Sequence, residues 1–242
     1  MTEFGRPDHE ALVRLRNEMT GASGNRVLDG AELRELGRLL YGSPELLSLY
    51  GIAATEMADS GLRVLLRTAM DCVVDGHSLA VAHAVAQLAS PPLVADLFGG
   101  SGNFGHHLGR RLDAAVFAAE PDPDVHRAGR HNLGVVGSAV ELRECDHREL
   151  LADLPPRSED DVYVVDPPMG EDAAPLVSEV LADILRSRAG APCLVVIKSP
   201  AQVAGDSLTA GASDPLRAVT PEPVLLSGAR VQYHLHRLGG GL

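Results

Sequence analysis

The chain has 242 residues, 45% of them hydrophobic, enough for one large α/β domain with a small attached helical region. Its 33 acidic and 21 basic residues leave a net charge of −12, and no basic run stands out, which argues against a duplex nucleic-acid binder. Aromatic residues make up 3% and tryptophan is absent, which argues against an extended base-stacking surface.

Cys72, Cys145 and Cys193 are far apart and form no CxxC pair, so no disulfide framework or zinc cluster is implied and a reducing compartment fits. The first residues lack an apolar signal-peptide core, and no apolar run approaches the ~20 residues of a membrane span. These features predict a cytoplasmic protein with no membrane partner. Lys198 is the sole lysine among many arginines, alanines and glycines, a composition that suggests a high-GC bacterial source.

Residues 1–90 read as helices and form a candidate lid or substrate region. Pro7 to Met19 carries a partly apolar face, and Asp29 can cap a helix running to about Leu40. Ser43-Pro44-Glu45 has the pattern of a helix start, predicting a helix to about Asp59. Leu62 to Cys72 is a further helix, Asp75-Gly76-His77 a turn, and Ser78 a cap for a helix to about Leu88.

From Leu93 strand and helix alternate. Strands are predicted at Leu93–Leu97, Ala115–Ala119, Ala139–Arg143, Val162–Val165 and Cys193–Ile197, with helices at His106–Leu112, Asp124–Leu133 and Ala174–Arg188. This alternation implies a parallel sheet covered on both faces. Val224 to Leu226, Ser227-Gly228 and Ala229 to Leu238 read as a hairpin, so the sheet should end in an antiparallel pair.

The first strand runs into Asp96-Leu97-Phe98-Gly99-Gly100-Ser101-Gly102-Asn103-Phe104-Gly105. Gly100 to Gly105 matches GxGxxG, a weak signal alone, for which a dinucleotide is the usual ligand. Asp96 at the strand end could accept from a cationic ligand group. Glu120, ending the second strand, suits a ribose diol. Asp146, after the third strand, could accept from an adenine amine or merely cap a surface helix. Asp166-Pro167-Pro168-Met169 follows the fourth strand, where two prolines can aim a carboxylate and a carbonyl at a donor.

Together these stretches resemble class I S-adenosylmethionine (SAM)-dependent methyltransferases over about residues 90–238. The resemblance implies a Rossmann-like, seven-stranded, mostly parallel sheet with an antiparallel last strand. It also implies SAM as methyl donor and S-adenosylhomocysteine as product. Asp166-Pro167-Pro168-Met169 is similar to the (D/N/S)-P-P-(aromatic) motif of enzymes that methylate planar nitrogens, and distantly to trimethylguanosine synthase-like and related RNA methyltransferases. Met169 departs from the pattern, since an aromatic ring stands there in the family.

By this resemblance Asp166, Pro167 and Met169 are candidate catalytic residues. Asp96, Phe98, Gly100, Gly102, Asn103, Phe104, Glu120, Asp146 and His147 are candidate cofactor residues, and His77 and Lys198 candidate substrate contacts. Lys198 ends the fifth strand, where it could meet a substrate carboxylate or phosphate or simply be solvated. His106 could border the cofactor. His234 and His236 share a strand face, but no third ligand is visible and no metal is expected. The expected partner is a small-molecule acceptor methylated at nitrogen, with the chain a monomer or homodimer. An RNA base methyltransferase, a NAD(P)-binding oxidoreductase and a non-catalytic relative stay open as alternatives.

Overall fold

The structure is a computed structural model, described here for residues 14, 17, 22–168, 173–200, 216–218, 224 and 231–239. Its elements in order are α1 (Gly30–Tyr41), β1 (Ser48–Leu49), β2 (Ile52–Ala53), α2 (Leu66–Asp71), α3 (Asp75–Leu88), β3 (Leu93–Asp96), α4 (Asn103–Leu112), β4 (Ala115–Ala119) and α5 (Pro123–Val135). There follow β5 (Glu141–Arg143), α6 (His147–Asp153), β6 (Val162–Val165), α7 (Ala173–Ser187), β7 (Cys193–Pro200), β8 (Leu216–Ala218) and β9 (Val231–Leu238).

The main sheet has the order β5-β4-β3-β6-β7-β9-β8. β5, β4, β3, β6 and β7 are parallel. β9 runs antiparallel to β7 over eight pairs from Cys193↔Leu238 to Pro200↔Val231, and three-residue β8 pairs antiparallel with its outer edge. The chain winds outward from β3 through β4 to β5, then returns to place β6 on the other side of β3. Between β3 and β6 the sheet therefore has a topological switch point, where open α/β folds bind ligands at the carboxyl ends of the strands.

Strand alternation divides the side chains between two layers. Tyr163, Val165, Val195 and Ile197 pack with Leu150 and Leu151 of α6 and Val177, Leu181 and Ile184 of α7. Val94, Val162, Val164, Leu194 and Val196 pack with Val81 and Val85 of α3, Phe104 and Leu108 of α4, and Tyr233 of β9. Helix α3 thus packs in the same layer as α4, against the sheet. The predicted hairpin appears as β9 with an isolated antiparallel bridge from Val224 to Tyr233; its turn lies outside the described residues.

Residues 43–59 do not form the expected helix. Pro44–Leu46 is one 3-10 turn, and the Ser43 side chain makes no capping bond to the backbone. Tyr50 and Gly51 then adopt φ of 57° and 82°, the double left-handed turn that joins two strands tightly, so β1 and β2 replace the helix. The helix expected from Leu62 begins only at Leu66. Asp75-Gly76-His77 is the first turn of α3 and not a separate turn. A carboxylate there favours the helix start, and Ser78, read as a cap, lies inside with Oγ donating to the Val74 carbonyl at 3.2 Å.

The hairpin is fastened to the sheet layer. Asp75 Oδ2 accepts from Gly51 N at 2.8 Å and its Oδ1 pairs with His107 Nε2 at 2.7 Å. Asn132 bridges to Arg63, accepting from its N at 2.7 Å and donating to its carbonyl at 2.9 Å. Leu33, Leu47, Leu49 and Met57 form one apolar cluster with Ala118, Leu133 and Leu142, so residues 28–74 share a core with the sheet.

Candidate functional site

After β3 the chain makes its glycine turn over the carboxyl ends of the strands. Gly99 N donates to the Ala119 carbonyl at 2.7 Å, and Gly102 N to the Gly99 carbonyl at 2.7 Å. A Cβ at Gly99 would stand 2.9 Å from both Ala118 Cβ and Leu142 Cδ1, so only a bare backbone fits against β4. Gly102 has φ of +81° and would place a Cβ 2.9 Å from Leu133; it caps α4 in a conformation that other residues rarely adopt.

The turn borders a cleft of about 360 Å³. Its walls include Asp96, Phe98, Gly99, Gly100, Ser101 and Phe104 from the first βα unit, and Glu120 and Asp122 after β4. Asp166, Pro167 and Pro168 follow β6, and Lys198 lies on β7. Arg67, Thr68, Asp71, Cys72 and Val73, from α2 and the residues just after it, close another side. That volume suits a nucleotide-sized ligand.

Asp96 ends β3 and Asp166 follows β6, whereas Lys198, expected at a strand end, lies inside neighbouring β7, which continues to Pro200. Asp96 is buried, and Phe98 N donates to its Oδ1 at 3.3 Å. Burial and the adjacent Asp166 push the Asp96 carboxyl up to about 7. Asp166 Oδ1 forms an ion pair with Lys198 Nζ, both side chains being 7% exposed. Burial raises the Asp166 carboxyl above its ordinary range although the lysine opposes the shift. Glu120 accepts from Gly100 N at 3.1 Å and Asp122 N at 2.9 Å, and burial raises its carboxyl as well.

The cleft brings together Asp96, Phe98, Gly100, Phe104, Glu120, Asp166, Pro167 and Lys198 of the residues expected from sequence. Lys198 is buried against Asp166, not solvated. Gly102 lies one residue beyond the lining and sets the turn. Asn103 is not among the cleft-lining residues, and its side chain is taken up by the protein itself. It is fully buried, its Oδ1 accepts from Tyr50 N at 2.6 Å and its Nδ2 donates to the Val73 carbonyl at 2.7 Å.

His147 and Asp146 lie outside the cleft lining. His147 stacks on Phe98 at 5.8 Å and pairs with Asp183 at 3.1 Å, so it supports the wall from behind. Asp146 Oδ1 caps α6, accepting from Arg148 N at 2.8 Å and Glu149 N at 2.9 Å. His106 bonds Ser138 Oγ at 2.9 Å, away from the cleft. His77 is buried beside Tyr233, with ring centroids 6.0 Å apart. Met169 lies outside the described residues. Among the described residues no group of three or more His, Cys, Asp or Glu is placed to hold a metal.

Helix α2 lies within the candidate lid region, but the sequence did not mark its residues as cleft-lining. Arg67-Thr68-Ala69-Met70-Asp71 has no motif, and its one cue, polar residues on an otherwise apolar segment, is common to any surface helix.

No family model matches the chain, and no curated protein matches it in sequence. Solved structures match the fold. An Escherichia coli protein described as a methyltransferase, yhhF, superposes with a TM-score of 0.50 at 16% identity, over 70% of this chain and 90% of its own. A conserved hypothetical protein from Streptococcus pyogenes has a TM-score of 0.50 at 14% identity, over 66% of this chain and 93% of its own. A mutant of MtNAS in complex with S-adenosylmethionine has a TM-score of 0.50 at 16% identity, over 68% of this chain and 63% of its own. The chain shares the Rossmann-like fold of these structures.

Proposed function

We propose that this protein is a SAM-dependent methyltransferase acting on nitrogen in a small molecule. The observation that carries the reading is the buried Asp96 carboxylate at the switch point, pushed up to about 7 with no cationic partner of its own among its described contacts. A buried acid of this kind favours a cationic ligand group, which would restore its ionised form.

The residues fit the donor. The bare Gly99–Gly100 backbone admits the amino-acid part, Asp96 meets its ammonium, Glu120 accepts from the ribose hydroxyls, and Phe98 and Phe104 line apolar wall. SAM, when bound, supplies an electrophilic methyl group on sulfonium. Asp166 and the Pro167 carbonyl accept hydrogen bonds from the acceptor amine, orienting its lone pair and stabilising the charge that develops on nitrogen. The segment Arg67–Val73 limits access of water.

A small acceptor is favoured over RNA by the charge of the cleft. Among the described residues, Asp71, Asp96, Glu120, Asp122 and Asp166 line it against Arg67 and Lys198, a poor surface for a phosphate backbone. Calorimetry with S-adenosylhomocysteine and with NAD tests the reading. Micromolar binding of the first and none of the second is expected; NAD binding alone would overturn it.

A further inference from the structure

We propose that Lys198, Tyr233 and His77 form a carboxylate subsite beside Asp166, so that the methyl acceptor is an amine that also carries a carboxylate. This rests on the methyltransferase reading above and names its substrate class.

Lys198 and Tyr233 are direct partners across antiparallel β7 and β9, so their side chains share one face of the sheet. That face is the one covered by α3 and α4, where Tyr233 packs 5.5 Å from the cleft residue Phe104 and 6.0 Å from His77 of α3. All three polar side chains are more than nine-tenths buried: Tyr233 is 1% exposed and His77 and Lys198 8% each. Tyr233 OH and His77 Nε2 have no hydrogen-bond partner among the described residues.

Two orphaned buried polar groups in one corner are costly unless a ligand satisfies them. Both can donate. Burial raises the Tyr233 phenol well above its ordinary range, so it keeps its proton. Burial and then the Lys198 charge lower the His77 imidazole to about 4, so it is neutral with one N–H to offer. One ammonium and two neutral donors suit the two oxygens of a carboxylate. A phosphate dianion would add a second negative charge beside Asp166 and Asp96.

An amine can donate to the second oxygen of Asp166 while Oδ1 keeps its ion pair with Lys198. An amine bearing a carboxylate uses the whole corner: its N–H groups reach Asp166 and its carboxylate accepts from Lys198, Tyr233 and His77.

The test uses the full chain saturated with S-adenosylhomocysteine, titrated by calorimetry with matched probes: glycine against methylamine, and anthranilate against aniline. The carboxylated member of at least one pair should bind at least tenfold more tightly. Tyr233→Phe, which removes an unpartnered hydroxyl and so should fold, is expected to cut that preference about tenfold with S-adenosylhomocysteine affinity held within twofold. Lys198→Met should abolish the preference. Equal binding, no binding of either carboxylate, or a preference that survives Tyr233→Phe would overturn the inference with the cofactor still bound. Failure of S-adenosylhomocysteine itself to bind would overturn the methyltransferase reading and this one with it.

Discussion

Asn103 donates from Nδ2 to the carbonyl of Val73 at 2.7 Å while its Oδ1 accepts from Tyr50 N at 2.6 Å. One amide at the start of α4 therefore holds both the β1–β2 turn and the segment that closes the cleft. Asn103→Ala would strand a buried N–H and a carbonyl and is expected to cost ~2–4 kcal/mol, read as a lowered urea midpoint. Asn103→Asp sets an acceptor-only carboxylate against the Val73 carbonyl and should recover none of the loss.

Asp96 should trade stability for binding. Its folded-state value of about 7 lies above the ordinary 3.8. The native state thus holds a proton more tightly than the unfolded chain, and this group's contribution is lost as pH rises from about 4 through 7. Asp96→Asn is expected to raise the melting temperature of the unliganded protein at pH 8, by a free energy on the order of 2–4 kcal/mol. The gain should vanish near pH 3.5. The same variant should bind S-adenosylhomocysteine at least tenfold more weakly; a variant both unstable at pH 8 and normal in binding would refute the assignment.

The same carboxyl makes ligand affinity depend on pH. A cation favours ionised Asp96, so binding near pH 6 should release a proton. S-adenosylhomocysteine affinity should fall about tenfold per pH unit below 7. Calorimetry in buffers of different ionisation enthalpy measures the released proton directly.

Gly99 and Gly102 should tolerate no side chain, for different reasons. Gly99→Ala drives a Cβ to 2.9 Å from Ala118 and Leu142, so it is expected to cost ~1–3 kcal/mol and to distort the cofactor loop. Gly102→Ala adds the strain of φ +81° to a contact with Leu133 and should destabilise by a similar ~1–3 kcal/mol. Thermal denaturation with and without S-adenosylhomocysteine separates the effects: Gly99→Ala should lose most of the ligand-induced shift.

Much of the sheet was legible from residues because a buried parallel strand must be short and apolar and must stop where polar chemistry begins. Ala115–Ala119 and Val162–Val165 match their predicted bounds, and Asp96 and Asp166 mark strand ends in both sequence and structure. Residues 43–59 misled because a local helix-start pattern cannot register the Tyr50–Gly51 turn, whose anchor at Asn103 lies 53 positions away. Ser78 misled likewise, since the partners that hold Asp75, Gly51 and His107, are distant in the chain.

By itself the sequence determined the alternating architecture, the glycine turn and the carboxylates at the strand ends, all properties of local spacing. Only the tertiary structure decided that Lys198 neutralises Asp166, that Asn103 is a clamp, that Arg67–Val73 closes the cleft, and that Tyr233 and His77 meet beside them. The physical reason is that charge compensation and hydrogen-bond satisfaction belong to neighbours in space. Strand order brings β7 beside β6 and β9 beside β7, and no spacing along the chain records that order.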